Sequence, residues 1–441
     1  MSVRSWALFV TASALAVTGQ TLVPASTRAA PAATAVGATD TWGPVHRFER
    51  NPAGQSLVVD ARSVTTVVWG SQRGWPEPVK VEQRTAAGRW ADPVTLGEGY
   101  SPVVAADAHG NLTVAWLRDR KDFTTGVWAA RKPVGKPWTR PVHLSDDVAA
   151  PGYPDGDSFY GAGGLDIAVH PGGAALVTWS WGSSERDVPF RIQAAYRPSG
   201  GPWGVMESLT PAAGAVNAQG AFARSGIAWV AYELPQTTGP GQVKVRSRST
   251  AGLWSPATWV GNGSVGEVRV IARGDVAVVF LGRGQVRVAM RPAATGAWRA
   301  PFPVTPQNVR FRVWSVAMNR AGAAVVAYLV GHGRVEVVRR SVGSGWTKSL
   351  TLAATSTGLA GVFTAINPSG DMFAGWDTSY AIWGRYRPAG QGWHATTTAH
   401  PDSGQVDVLE GVTTRMGPGG NVVLLWAQEA RPLRARILHV S

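Results

Sequence analysis

Apolar and polar residues alternate along most of this chain. Stretches such as NLTVAW (111–116) and QVKVRSRS (242–249) carry the period of two that turns one face of a strand inward, and no 3.6-residue period is sustained. The strands come in an ordered set. A strand such as SPVVAAD leads through a glycine turn (DAHGN, HPGGA, NRAGA, NPSGD, GPGGN) into a second strand that closes on an aromatic residue. Those aromatics are Trp69, Trp116, Trp179, Tyr232, Phe280, Tyr328, Trp376 and Trp426. After a connection of variable length a third strand ends in arginine, at Arg84, Arg131, Arg197, Arg248, Arg291, Arg340 and Arg387. A Gly/Pro hairpin then leads into a fourth strand opened by tryptophan.

The tryptophans that open fourth strands are Trp42, Trp90, Trp138, Trp203, Trp254, Trp298, Trp346 and Trp393, with gaps of 48, 48, 65, 51, 44, 48 and 47 residues. Four antiparallel strands repeated at this spacing predict the blades of an all-β propeller. Residues 41–48 (TWGPVHRF) read as a fourth strand without its first three, and residues 410–440 as three strands without a fourth. Joined, they complete one blade and leave no unpaired ring edge. The expected architecture is therefore a β-propeller of about eight four-stranded blades, closed by pairing of the N- and C-terminal strands. Seven blades is the alternative if one unit is degenerate.

The repeat changes how the aromatic content is read. Of the 21 tryptophans, eight open fourth strands and five close second strands, positions that suit packing between blades. The arginine before each turn can cover a ring face with its stem or guanidinium. Most of the aromatic count is thus framework rather than sugar-binding surface.

The chain ends and the charge narrow the class further. Arg4 precedes WALFVTASALAVTG (6–19), an apolar run short for a membrane span, and small residues follow, with cleavage expected after Ala30 or Ala35. The expected organisation is a signal peptide over 1–35, a short linker over 36–40 and one propeller domain over 41–441. Such a protein is secreted, spans no membrane and acts as a monomer. It has no cysteine, which excludes disulfide, iron–sulfur and thiol chemistry. A chain of about 400 residues buries enough core to do without disulfides. The net charge is +14, yet 36 of the 42 basic residues are arginine, spread along the chain, and the longest basic run is RDRK at 118–121. Nucleic-acid surfaces carry clustered basic patches, so no nucleic-acid partner is expected. Weak attachment to acidic cell-surface polymers fits the charge better.

The unit SPVVAADAHGNLTVAWLRD…VWAARKPVGKPWTRPVHLS (101–145) resembles the repeat of exported bacterial propeller proteins of the actinobacterial type. It is distantly similar to sialidase-type propellers. The resemblance covers 41–441 and implies a blade, not a reaction. The Asp-box pattern S-x-D-x-G-x-T-W is absent, and Asp107 with Gly110 forms only a comparable hairpin. No sialidase catalytic residue is carried over.

Motifs for chemistry are few. GNGSVG (261–266) matches G-x-G-x-x-G at Gly261, Gly263 and Gly266, but it continues into the strand EVRVIA instead of a helix, so it reads as a loop between blades. Neither a G-x-S-x-G elbow nor H-E-x-x-H occurs. His109 and His170 sit in first-to-second-strand turns and read as solvated turn residues. No cofactor is expected. Asp155 and Asp157, with Asp146 and Asp147 nearby, offer oxygen ligands for Ca²⁺, although the regular D-x-D-x-D-G spacing is missing.

Departures from the repeat carry more information. Second-to-third-strand loops and interblade connections share one face of a propeller. Those loops are minimal in blades 5 and 6 (LGRGQ, LVGHGR) and elaborate in the first four (GSQRGWPEP, RDRKDFTTG, WGSSERDVPF, ELPQTTGPG). The gap of 65 marks an insertion over 146–164 on the same face. The candidate ligand-binding residues of this sector are Trp75, Phe123, Tyr153, Phe159, Tyr160 and Trp181, with Asp119, Glu185, Arg186 and Asp187. Aromatic platforms beside charged groups suit an extracellular glycan, cell-wall polymer or protein. The expected function is a non-enzymatic secreted binding module. The alternatives are a glycoside hydrolase or polysaccharide lyase on a sialidase-like propeller, using paired carboxylates, and a scaffold without a small ligand. No catalytic residue is assigned.

Overall fold

The computed structural model of the protein describes residues 40–440 apart from 51, 72–77, 120–123, 146–159, 184–187, 271–273, 307–308, 332, 355–358, 379–380, 402–408 and 429–431. Eight four-stranded antiparallel blades follow one another around a ring. Blade 1 comprises Pro52–Val59, Thr65–Ser71, Pro78–Arg84 and Val94–Glu98, and blade 2 Tyr100–Ala106, Leu112–Asp119, Thr124–Lys132 and Val142–His143. Blade 3 comprises Tyr160–Val169, Ala175–Ser183, Val188–Arg197 and Glu207–Ser208. The first strands of blades 4 to 8 are Val216–Phe222, Ser264–Val270, Val309–Met318, Gly361–Ile366 and Leu409–Met416. First strands of successive blades touch one another, which makes them the innermost layer around the ring axis. Among the described residues no helix is long and apolar enough to cross a membrane.

Blade 8 takes its outermost strand from the start of the ring. Thr41–Trp42 and His46–Arg50 pair with Pro432–His439, with Trp42 opposite Leu438 and His46 opposite Ala435. The closure expected from the two incomplete repeats is present. Side chains reinforce it: Trp42 Nε1 donates to Thr397 Oγ1 of blade 7 (3.1 Å), and Asp40 Oδ2 lies 2.8 Å from Nδ1 of His394 in the same blade. On the other side His46 stacks on Trp90 (4.3 Å, 9° between planes) and sits 2.8 Å from Glu82 Oε1. Burial first, and Asp92 second, raise the Glu82 carboxyl to about 7, while burial and then Arg84 lower His46. Both shifts oppose formation of a charged pair at this buried contact.

Each of the eight seams between blades holds its own apolar cluster. The second-strand aromatics are their centres: Trp69, Trp116, Trp179, Phe280, Tyr328 and Trp426 are at most 1% exposed. Burying one such tryptophan removes on the order of 200 Å² from water, about 5 kcal/mol of transfer free energy. The fourth-strand tryptophans form a different population. All eight are only partly buried, capping the outer ends of the seams, so their packing role is smaller than the sequence pattern suggests. The pre-turn arginines bridge to them at Arg84–Trp90, Arg248–Trp254 and Arg340–Trp346. Arg197 lies 5.6 Å from the Trp203 centroid, whereas Arg248 stacks at 4.1 Å on Tyr196 of the preceding blade.

The compact turns at the opposite end from the elaborate loops are linked in series. Asp60, Asp107, Asn319 and Asn367 each accept a backbone N–H four residues on, fixing the hairpin. Arg62 then donates to Gly110 O, His170 to Arg224 O, Asn319 to Asn367 O and Asn367 to Pro418 O, each in the next blade. Higher up, Ser56 accepts from Val104 N, Asp166 from Gly220 N and Ser315 from Thr364 N, a second tie between inner strands. GNGSVG joins blades 4 and 5 as expected. A Cβ on Gly261 would meet Phe280 at 2.4 Å and one on Gly266 would meet Trp314 at 2.0 Å, so glycine here serves close approach and not a phosphate.

Candidate functional site

The insertion before blade 3 has a structural consequence. The first strand of blade 3 runs ten residues and its start pairs in parallel with the third strand of blade 2, Tyr160 opposite Thr124 and Gly161 opposite Thr125. Blades 2 and 3 thereby become one eight-stranded sheet at the face that carries the elaborate loops. The register runs Asp119–Thr125, Thr125–Gly161, Gly161–Gly182, Ala162–Trp181 and Trp181–Arg191. Asp119, Trp181 and Arg191 thus share one sheet end, although 72 residues separate the first from the last.

The side chains there are held in place. Asp119 Oδ1 accepts from Tyr100 Oη (2.9 Å) and Thr125 Oγ1 (2.7 Å), which orients a partly buried carboxylate. Trp181 packs its inner edge on the cluster between blades 2 and 3. The Arg191 guanidinium covers its ring at 4.4 Å, and Arg191 Nε is buried without a hydrogen-bond partner among the described residues. Beside them Arg118 pairs with Glu98 and lies 5.2 Å from the Trp128 centroid. Trp128 tilts against His143, whose Nε2 is 3.0 Å from Ser145 Oγ. The sheet end thus offers an oriented acceptor at Asp119 and, one row along the register, an aromatic surface covered by a guanidinium at Trp181 and Arg191.

Of the residues singled out from the sequence, Asp119 and Trp181 fall on this edge, and the backbone of Tyr160 makes the join. Trp75, Phe123, Tyr153, Phe159, Glu185, Arg186 and Asp187 lie outside the described residues, as do Asp155 and Asp157, proposed for Ca²⁺. Among the described residues no group of three or more His, Asp or Glu side chains is placed to hold a metal ion. Sequence reasoning missed Tyr100, Thr125 and Arg191, which enter only through the register.

It also passed over one position. The residue after the second-strand aromatic is Gly70, Leu117, Ser180, Glu233, Leu281, Leu329, Asp377 or Ala427, so two blades place a carboxylate where most place a small or apolar side chain. Glu233 Oε2 accepts from Ser264 Oγ (2.7 Å) and Asn217 Nδ2 (3.0 Å), joining blades 4 and 5. Asp377 is buried, and burial raises its carboxyl to about 7 against the opposing pull of backbone N–H groups, including that of Gly361.

No protein-family model matches this sequence, and no curated protein matches it. Solved structures do. The polysaccharide lyase Uly1 matches with a TM-score of 0.46 at 10% identity, over 88% of this chain and 90% of that one. An α-L-arabinanase from Penicillium chrysogenum matches with a TM-score of 0.41 at 12% identity, over 68% and 99%. A Hadza microbial sialidase matches with a TM-score of 0.40 at 12% identity, over 82% and 73%. At these values the likeness is one of propeller fold alone.

Proposed function

We propose that the protein is a secreted, non-enzymatic propeller that recognises a glycan, a cell-wall polymer or a protein on the joined edge of blades 2 and 3. The observation carrying this reading is that one sheet end holds both the oriented Asp119 and the Arg191-covered Trp181. Apolar ring surface, a carboxylate already oriented by two hydroxyls, and a stacked guanidinium are the groups that hold hydroxyl-rich or amide-rich ligands. Export rests on the sequence of residues 4–35.

Glycoside hydrolysis instead needs a proton-holding carboxyl roughly 5–9.5 Å from a second carboxylate. The carboxyls raised toward neutrality are elsewhere: Asp377 in blade 7 and Glu82 in blade 1 are each 6% exposed, and Asp166 is tied to Gly220 N in the seam between blades 3 and 4. Binding is therefore favoured over hydrolysis or elimination.

The test is a glycan array and pull-down on purified cell-wall polymers with the wild type and the Asp119→Asn, Trp181→Ala, Arg191→Ala triple variant. Loss of affinity by about tenfold or more at near-unchanged melting temperature is expected, as for partly buried contact residues. Undiminished binding by the triple variant moves the site elsewhere. Binding that disappears at about 0.2 M salt for every anionic polymer alike reduces the effect to net charge. Polysaccharide cleavage by the wild type that Asp377→Asn abolishes establishes the enzyme reading instead.

A further inference from the structure

The ring axis carries a charge cluster that the repeat does not require. In every blade one inner-strand residue lies opposite the residue three before the buried aromatic: Val58, Ala105, Ala168, Ala221, Arg269, Ala317, Ala365 and Arg415. Six are small because inner strands approach most closely at the axis. Blades 5 and 8 place arginine there. Arg269 stays partly exposed and Arg415 exposed, so neither guanidinium is packed away between the inner strands, and the open space beside an inner strand is the ring axis. The charges of Glu267 and Arg269 of blade 5 and of Asp166 of blade 3 act on Arg415 of blade 8 across the ring, none of them in an adjacent blade. It is enclosed by protein yet reached by solvent, as a channel-lining side chain must be. Arg320, in the first turn of blade 6, adds a third guanidinium beside Arg269.

The charges do not balance. Glu267 pairs with Arg269, and Asp166 accepts from Gly220 N at 2.7 Å. Arg415 donates Nη1 to its neighbour's carbonyl, Thr414 O (2.9 Å), and among the described residues neither it nor Arg320 forms a salt bridge. Three like charges share this stretch of the ring axis, and among the described residues Arg320 and Arg415 keep guanidinium N–H donors that no protein acceptor takes. We propose that this part of the channel, lined by Arg269, Arg320 and Arg415, binds a small oxyanion of two or more negative charges, of the phosphate or carboxylate class. Bidentate guanidinium contacts suit the paired oxygens of such groups, and Glu267 holds Arg269 in orientation.

Asp166 supplies a signature that plain surface charge lacks. Burial raises its carboxyl to about 6, opposed by the N–H groups of Gly220 and Ile167 and by Arg269, and supported by Glu267; Arg415 faces it across the channel. Below that value it is neutral and repels a bound anion less.

Sulfate is the probe of choice because its charge is constant over the pH range used. Calorimetric titration of the purified protein with sodium sulfate, against sodium chloride of equal ionic strength, is expected to give one saturable site. Arg415→Gln should weaken it by about tenfold or more, as should Arg320→Gln, whose exposed turn position spares the fold. Arg224→Gln, the same turn position in blade 4, should leave it unchanged. Binding should be tighter at pH 5 than at pH 8, and Asp166→Asn should abolish that difference. Heats no larger than those of chloride, or full affinity in both Arg415→Gln and Arg320→Gln, would overturn the proposal.

Discussion

Replacing Asp377 by asparagine should make the protein more stable at high pH. The carboxyl sits at the end of the second strand of blade 7, 6% exposed, and a Cβ on Gly361 would approach its Oδ1 to 2.5 Å, so water has little access. Its proton is held to about 7, against 3.8 for an ordinary aspartate. In the unfolded chain the group ionises near pH 4, while in the folded chain it stays protonated to about pH 7. The folded state therefore binds the extra proton, and stability falls as pH rises between those values. A shift of about three units corresponds to about 4 kcal/mol, of which roughly 2–3 kcal/mol falls between pH 5 and pH 8. Asparagine has the same shape and keeps an acceptor for the Gly361 N–H, but cannot ionise. Urea denaturation at both pH values should show the wild type losing that much more stability than Asp377→Asn. Glu82 and Asp166, also raised, contribute slopes of the same sign to both proteins and cancel in the comparison. Equal pH dependence in the two proteins would refute the reasoning, because it would mean that Asp377 ionises in place.

Two further outcomes follow from the packing. Trp116→Ala should cost about 3–5 kcal/mol, because the ring is 1% exposed and its Nε1 donates to Glu98 O, whereas the partly exposed Trp138→Ala should cost about 1–2 kcal/mol. Thermal melts of the pair check this, and equal losses would contradict the two-population reading. Removing residues 41–48 uncovers the outer edge of blade 8, where Leu433 and Leu438 are fully buried, and should lower the melting temperature sharply. An unchanged melt would mean that the ring does not depend on its closure.

The ring, its blade count and its closure were legible because each rests on a local rule repeated many times. A glycine turn, a closing aromatic and an Arg–turn–Trp hairpin recur with a period that only the insertion before blade 3 disturbs. Burial was less legible. Trp116 and Trp138 look alike in the sequence, but one lies in the middle of a seam and the other at its rim, and that distinction depends on radius within the ring. The edge of blades 2 and 3 was half legible. The 65-residue gap marked the place, and Asp119 and Trp181 were named from the elaborate loops RDRKDFTTG and WGSSERDVPF beside it. Arg191 was not, because it meets Trp181 only through cross-strand register, and the parallel pairing of Tyr160 with Thr124 belongs to no repeat. Asp377, Arg269 and Arg415 escaped for another reason. Each has an ordinary residue type among many of its kind, and becomes exceptional only when the eight blades are superposed and most of its counterparts prove to be small or apolar.

The strand that closes blade 8 also orders events in time. Trp42 and Leu438 pair across about 400 residues, whereas the second and third strands of blade 5 meet across a turn of two. Closing the longer loop from an unfolded chain costs about 4 kcal/mol more entropy. The N-terminal strand therefore gains nothing by pairing early. It becomes worth pairing once the intervening blades have stacked and brought the two ends within reach. Until then Pro432–His439 is an open edge able to recruit a strand from any chain nearby. Ring closure is thus the slow, late step, and the interval before it is when one molecule is most exposed to exchange with another.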